Sequence, residues 1–91
     1  MLLLDELRVE LEGYRKDMKQ LYEILDIDKA KAEIAELQEQ SGKDGFWDDI
    51  ENSQKIMQTI KHDEATIESY NKLNEKLEDA LTMIELAMEE E

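Results

Sequence analysis

The residues able to do chemistry in this chain are few, and most are carboxylates. Asp48, Asp49 and Glu51 crowd the stretch "FWDDIE" at 46–51, and several oxygens close together are what a hard cation such as Ca²⁺ or Mg²⁺ requires. The spacing of an EF-hand loop is absent. Capping and the helix dipole already account for acids at the start of a helix, so no metal is assigned to them. The one histidine, His62, lies in "KHDEA" at 61–65, and the chain has no cysteine. Nucleophilic catalysis needs a base placed beside a nucleophile. Nothing near His62 supplies that pair, and it reads as a solvent-facing helix residue. No catalytic residue, cofactor or metal ligand follows, and an enzyme would lack a convergent polar pocket.

Phe46 and Trp47, the only Phe and Trp in the chain, stand side by side after Gly45 in what reads as a loop. Two large aromatics at the start of a helix can fold back as a plug over the end of a helical bundle, burying ~150–250 Å² each. Alternatively, one of them meets a partner. Both residues are therefore candidates for a bundle-end or partner contact.

The elements that would carry these residues are helices. Leu4, Leu7, Leu11, Tyr14, Met18, Leu21 and Leu25 keep alternating steps of three and four, a heptad seam that predicts a helix over about residues 3–25. Gly13 lies off the seam and weakens this helix locally without breaking it. Asp26 and Asp28 are placed to cap a second, short helix with Ala30, Ile34 and Leu37 facing inward. Gly42 suits its C-terminal cap. Asp48 or Asp49 begins the third helix, and Asp48 with Glu51 has capping-box spacing. From there Ile56, Ile60, Asp63, Ile67, Tyr70, Asn74, Leu77, Leu81, Ile84 and Met88 form one seam, polar only at Asp63 and Asn74. Asn74 either fixes register or reaches water where the helices gape. Met18 and Met88 fall on the seams and read as core filler.

Long helices of unequal length joined by short connections predict an all-α, antiparallel three-helix bundle, coiled-coil-like, with a long third helix. The expectation is one helical domain over 1–91. Leu73, Met83 and Leu86 lie beside or off the third seam and predict a second apolar face, exposed in this chain. Ending on Glu89, Glu90 and Glu91 in mid-pattern, the chain reads as a fragment of a longer protein whose next segment covers that face. Self-association through it is expected.

Charge restricts the partners. The net charge is −14; residues 1–45 hold seven basic and twelve acidic residues, and residues 46–91 hold four and thirteen. Nucleic-acid affinity rests mainly on Lys and Arg displacing counterions, so direct binding of RNA or DNA is not expected. Lys16, Lys19, Lys29 and Lys31 are too few and too interspersed with acids for a tRNA-binding arm. Leu2, Leu3 and Leu4 run at once into Asp5, Glu6 and Arg8, too short an apolar run for a signal peptide or membrane span. The chain reads as a soluble, cytoplasmic protein that binds protein.

Four stretches in order, "LDIDKAKAEIAEL" at 25–37, "FWDD" at 46–49, "YNKLNEKLED" at 70–79 and "IELAMEEE" at 84–91, resemble the N-terminal domain of bacterial peptide chain release factor 2. Asp44 and Ile50 stand where that family often has proline. The resemblance implies a domain of a class I factor that terminates translation at UGA and UAA codons. The Gly-Gly-Gln tip and the Ser-Pro-Phe codon-reading tripeptide lie in later domains of that family, so no catalytic residue carries over. The resemblance leaves this domain a positioning role on the ribosome, at the large-subunit stalk base, through the full-length factor. It also implies a gene in which an in-frame UGA follows the Leu25 codon and is bypassed by a +1 shift into Asp26. The competing reading from the helical pattern alone is a stand-alone coiled-coil adaptor.

Overall fold

The computed structural model describes residues 2–90. The chain is all-α: α1 (Leu2–Ile24), α2 (Ile27–Ser41) and α3 (Ile50–Glu89), with a 3₁₀ turn at Phe46–Asp48 and no strand among the described residues. The third helix is the long one, 40 residues or about 60 Å at ~1.5 Å per residue. The contacts divide the chain into two compact units.

In one unit α1 packs with the part of α3 from Tyr70 onward. Met18 and Leu81 are its buried residues, and both lie on the heptad seams, which bring one side chain per turn toward the neighbouring helix. Arg15 donates two hydrogen bonds to the Glu78 carboxylate, Nη2 to Oε1 at 2.7 Å and Nε to Oε2 at 3.1 Å. Tyr22 meets Tyr70 edge to face, with ring centroids 5.2 Å apart. Partner numbers fall along α3 as they rise along α1, so the two helices run antiparallel.

The other unit holds α2, the 3₁₀ turn and the part of α3 up to Ser69. Ile27, Ala30 and Ile60 form its buried apolar centre. Ser53 is buried as well, its hydroxyl donating to the Ile50 carbonyl at 2.9 Å. Ile34 and Leu37, the other expected inward positions of α2, are half-buried.

The helix ends depart from the sequence expectation in physically informative ways. Asp26 occupies the N-cap of α2 but adopts left-handed geometry, φ 53° and ψ 52°, and makes no side-chain cap hydrogen bond. Aspartate enters this region more readily than most residues. It serves through its carbonyl, which accepts from the Ala30 N–H at 3.0 Å. Gly42 is the C-cap of α2, as expected, yet with right-handed backbone; the left-handed glycine is Gly45, φ 81°. Of the two candidate caps for α3, Asp49 takes the role. Its Oδ1 accepts the Asn52 N–H at 3.1 Å and its carbonyl the Ser53 N–H at 2.9 Å. Asp48 is held in the 3₁₀ turn instead, which removes the Asp48–Glu51 capping box.

Candidate interaction surfaces

The turn carrying the aromatics is built by backbone. The Phe46 N–H donates to the Lys43 carbonyl at 3.3 Å and the Asp48 N–H to the Gly45 carbonyl at 3.1 Å. The positive φ of Gly45 is a conformation that side chains with a Cβ resist. The turn packs against α2, and it separates the two rings by role. Phe46 is half-buried, whereas Trp47 is 60% exposed, with the neighbouring Ile50 also exposed. The rings touch edge to face, centroids 4.9 Å apart at 84°, the geometry that the aromatic quadrupole favours. Trp47 and Ile50 thus stand in solvent among Asp48, Asp49 and Glu51.

A second feature belongs to the α1–α3 unit. A groove of about 580 Å³ is lined by Leu11, Tyr14, Leu21 and Ile24 of α1 and by Leu73 and Ala80 of α3, among others. Leu73 is 49% exposed there. Met83 and Leu86, grouped with Leu73 by the sequence, are 71% and 55% exposed but lie outside the groove lining. Tyr14 and Leu7 sit on the first seam and yet are exposed. Leu11, Tyr14, Met18 and Leu21 of the first seam line the α1 wall of this groove, joined by Ile24, one position from the seam and at the helix end, which the spacing did not single out.

The α2–α3 unit contains a carboxyl pair. Asp63, polar on an apolar seam, is 9% exposed, and its Oδ2 has no hydrogen-bond partner. Facing it from α2 is Glu33. Hydrogen bonding to Asp63, then the charge of Asp63, then burial raise the Glu33 carboxyl above the ordinary carboxylate range, with Lys29 opposing. An acid in this setting keeps its proton to higher pH, because ionising it would set two like charges together. Asp63 was legible as an anomaly; its partner was not, because pairing across two helices leaves no trace in spacing. Asn74, the other polar seam residue, is half-buried.

His62 is exposed on α3. Among the described residues, no group of three or more His, Cys, Asp or Glu side chains could hold a metal ion. No helix among them is long and apolar enough to cross a membrane.

Helices with heptad seams and apolar surface exposed on them define an all-α, coiled-coil-like fold. By sequence the chain is similar over most of its length to peptide chain release factor 2. It is 34% identical over 82 residues to the factor of Streptomyces avermitilis, covering 90% of this chain and 22% of that protein. With the factor of Rickettsia bellii it shares 34% over 85 residues, 89% of this chain and 23% of the relative. The factor of Saccharopolyspora erythraea matches at 30% over 87 residues, covering 96% and 22%. The chain thus spans between a fifth and a quarter of the length of the curated relatives it matches. No protein-family model matches it, and no solved structure does.

Proposed function

We infer that this chain is the N-terminal helical domain of a class I peptide chain release factor that terminates translation at UGA and UAA codons, and that it attaches and positions the factor on the ribosome without taking part in the chemistry. The observation that carries this reading is the similarity to release factor 2 along about nine tenths of the chain. Charge supports the division of labour. A domain at −14 is repelled by rRNA phosphate, so its ribosomal contact is a protein surface, for which the large-subunit stalk base is the candidate. Trp47 and Ile50, exposed among carboxylates, have the composition of a contact with a basic surface that offers an apolar pocket. The same reading expects an in-frame UGA after the Leu25 codon in the natural gene. An uninterrupted frame through codons 25 and 26 removes that autoregulation and leaves the domain assignment standing.

The decisive experiment is a chimera in which this chain replaces the matching segment of the release factor 2 of Streptomyces avermitilis. Peptide release on UGA-programmed ribosomes is expected to persist, while Trp47→Ala in the chimera raises KM with kcat little changed. The chain by itself is expected to release nothing. A chimera that folds but neither binds nor releases would favour the stand-alone helical adaptor, the reading to which the apolar groove lends support.

A further inference from the structure

Asp44 and Gly45 form the one aspartyl-glycyl bond of the chain, and every other aspartate precedes a residue with a Cβ. The Phe46 N–H donates to the Lys43 carbonyl, so residues 43–46 make a β-turn with Asp44 and Gly45 at its corners. At Gly45, φ 81° with ψ −5° is the third position of a type II turn. The N–H of that position takes no part in the turn's own hydrogen bond. Both corner residues are exposed. Among the described residues, nothing pairs with the Asp44 carboxylate or with the Gly45 N–H. An unpaired backbone nitrogen thus adjoins an unpaired carboxyl. Asp17, Asp63 and Asp79, by contrast, lie inside α1 and α3, where the next N–H is committed to the helix ladder.

Attack by the Gly45 nitrogen on Cγ of Asp44 closes a five-membered imide. The nitrogen gives up its proton and the protonated carboxyl its hydroxyl, so one water leaves. One water then returns. Addition at Cγ restores aspartate, whereas addition at the main-chain carbonyl carbon of Asp44 leaves the chain running through Cβ and Cγ, which is isoaspartate. No oxidant, reductant or enzyme is required. Glycine permits the attack because the missing Cβ leaves the nitrogen unhindered. What opposes it is the turn, since ring closure requires the Asp44–Gly45 peptide plane to rotate. One backbone hydrogen bond spans that peptide, from Phe46 to Lys43, and at 3.3 Å it is longer than the usual ~2.7–3.2 Å. We propose that Asp44–Gly45 is a self-modification site at which the folded chain converts to isoaspartate, and that the conversion releases the turn holding Phe46 against α2. The added main-chain methylene falls inside the 43–46 turn, so the bond from Phe46 to Lys43 is lost. Trp47 and Ile50 follow directly in the chain, and the surface they present changes with it. The proposal needs nothing from the termination reading, since the chemistry is the chain's own.

Peptide mapping of the 91-residue chain, incubated for weeks in neutral buffer, tests it, with electron-transfer fragmentation to tell isoaspartate from aspartate. Circular dichroism checks that the chain stays folded throughout. The expected result is isoaspartate accumulating at Asp44 at least ~10-fold faster than at Asp17. Asp44→Glu keeps the charge but would need a six-membered ring, and it should accumulate no isomer at that position. Asp44→Asn closes the same imide with ammonia as the leaving group, and it should convert faster than the parent. Trp47, the only tryptophan, reports on the turn. Its quenching by acrylamide should rise in the purified isoaspartate form, and the melting temperature of that form should fall. Isoaspartate that forms at Asp44 no faster than at Asp17, or only once urea has unfolded the chain, overturns the proposal. An isoaspartate form with the parent's Trp47 quenching and melting temperature overturns the release of the turn.

Discussion

At the scale of single residues, burial separates positions that look equivalent in sequence. Phe46 and Trp47 are adjacent aromatics, yet Trp47 is 60% exposed and Phe46 half-buried. Trp47→Ala is therefore expected to change unfolding free energy by no more than ~0.5 kcal/mol. Phe46→Ala should cost ~1–3 kcal/mol, below the value for a fully buried Phe; urea denaturation distinguishes the two. Glu33 gives a pH-dependent expectation. Its carboxyl is raised in the folded state by Asp63, so the folded chain holds that proton more tightly than the unfolded one does. The stability this provides is complete below the ordinary carboxylate value and is lost as pH rises through the raised value. Glu33→Gln removes the ionisation. The variant should match the parent in acid and exceed it near neutral pH, as followed by denaturation at the two pH values. Glu78 has the opposite sign: the hydrogen bond from Arg15 lowers it, and its contribution disappears as pH falls through the lowered value.

At the scale of the elements, backbone conformation assigns opposite consequences to two glycines. Gly13 lies inside α1, where an added Cβ meets nothing within 4 Å, so Gly13→Ala should stabilise the chain by ~0.5–1 kcal/mol through the unfolded state. Gly45 has φ 81°, and Gly45→Ala should destabilise by ~1–2 kcal/mol because the added Cβ is strained in left-handed backbone. Thermal melts of the two variants should shift in opposite directions. Asp49 caps α3 through the Asn52 N–H. Asp49→Ala is expected to cost ~0.5–2 kcal/mol, whereas Asp48→Ala, which removes no such bond, should cost less.

At the scale of the whole molecule, the dominant quantity is charge. Residues 1–24 with 70–91 hold thirteen acids and six bases, a net −7, and residues 25–69 hold twelve acids and five bases, again −7, so each unit by itself carries an excess of acid. Repulsion of this kind opposes the compact state and is screened by salt over a Debye length of ~8 Å at physiological ionic strength. Raising NaCl should therefore raise the melting temperature by several degrees. A fall would mean that the Arg15–Glu78 pair and its exposed neighbours outweigh the net repulsion. The same excess of acid is what directs the proposed ribosomal attachment toward protein and away from rRNA.

The number of helices, their approximate limits and the seam of α3 were legible in the amino-acid order, because a helix that buries one stripe must repeat apolar residues every three or four positions. Every residue of that seam, from Ile56 to Met88, is buried or half-buried, including the polar Asp63 and Asn74. The likeness to release factor 2 was legible separately, in four stretches of residues kept in order. Packing decided the rest. Leu7 and Tyr14 obey the seam of α1 and are exposed all the same, because a helix with one neighbour in its unit covers only part of its apolar stripe. The meeting of Glu33 with Asp63 and the cap at Asp49 in place of Asp48 depend on where two chain segments pass each other. Local spacing sets which side chains share a face; only tertiary contact sets what that face meets.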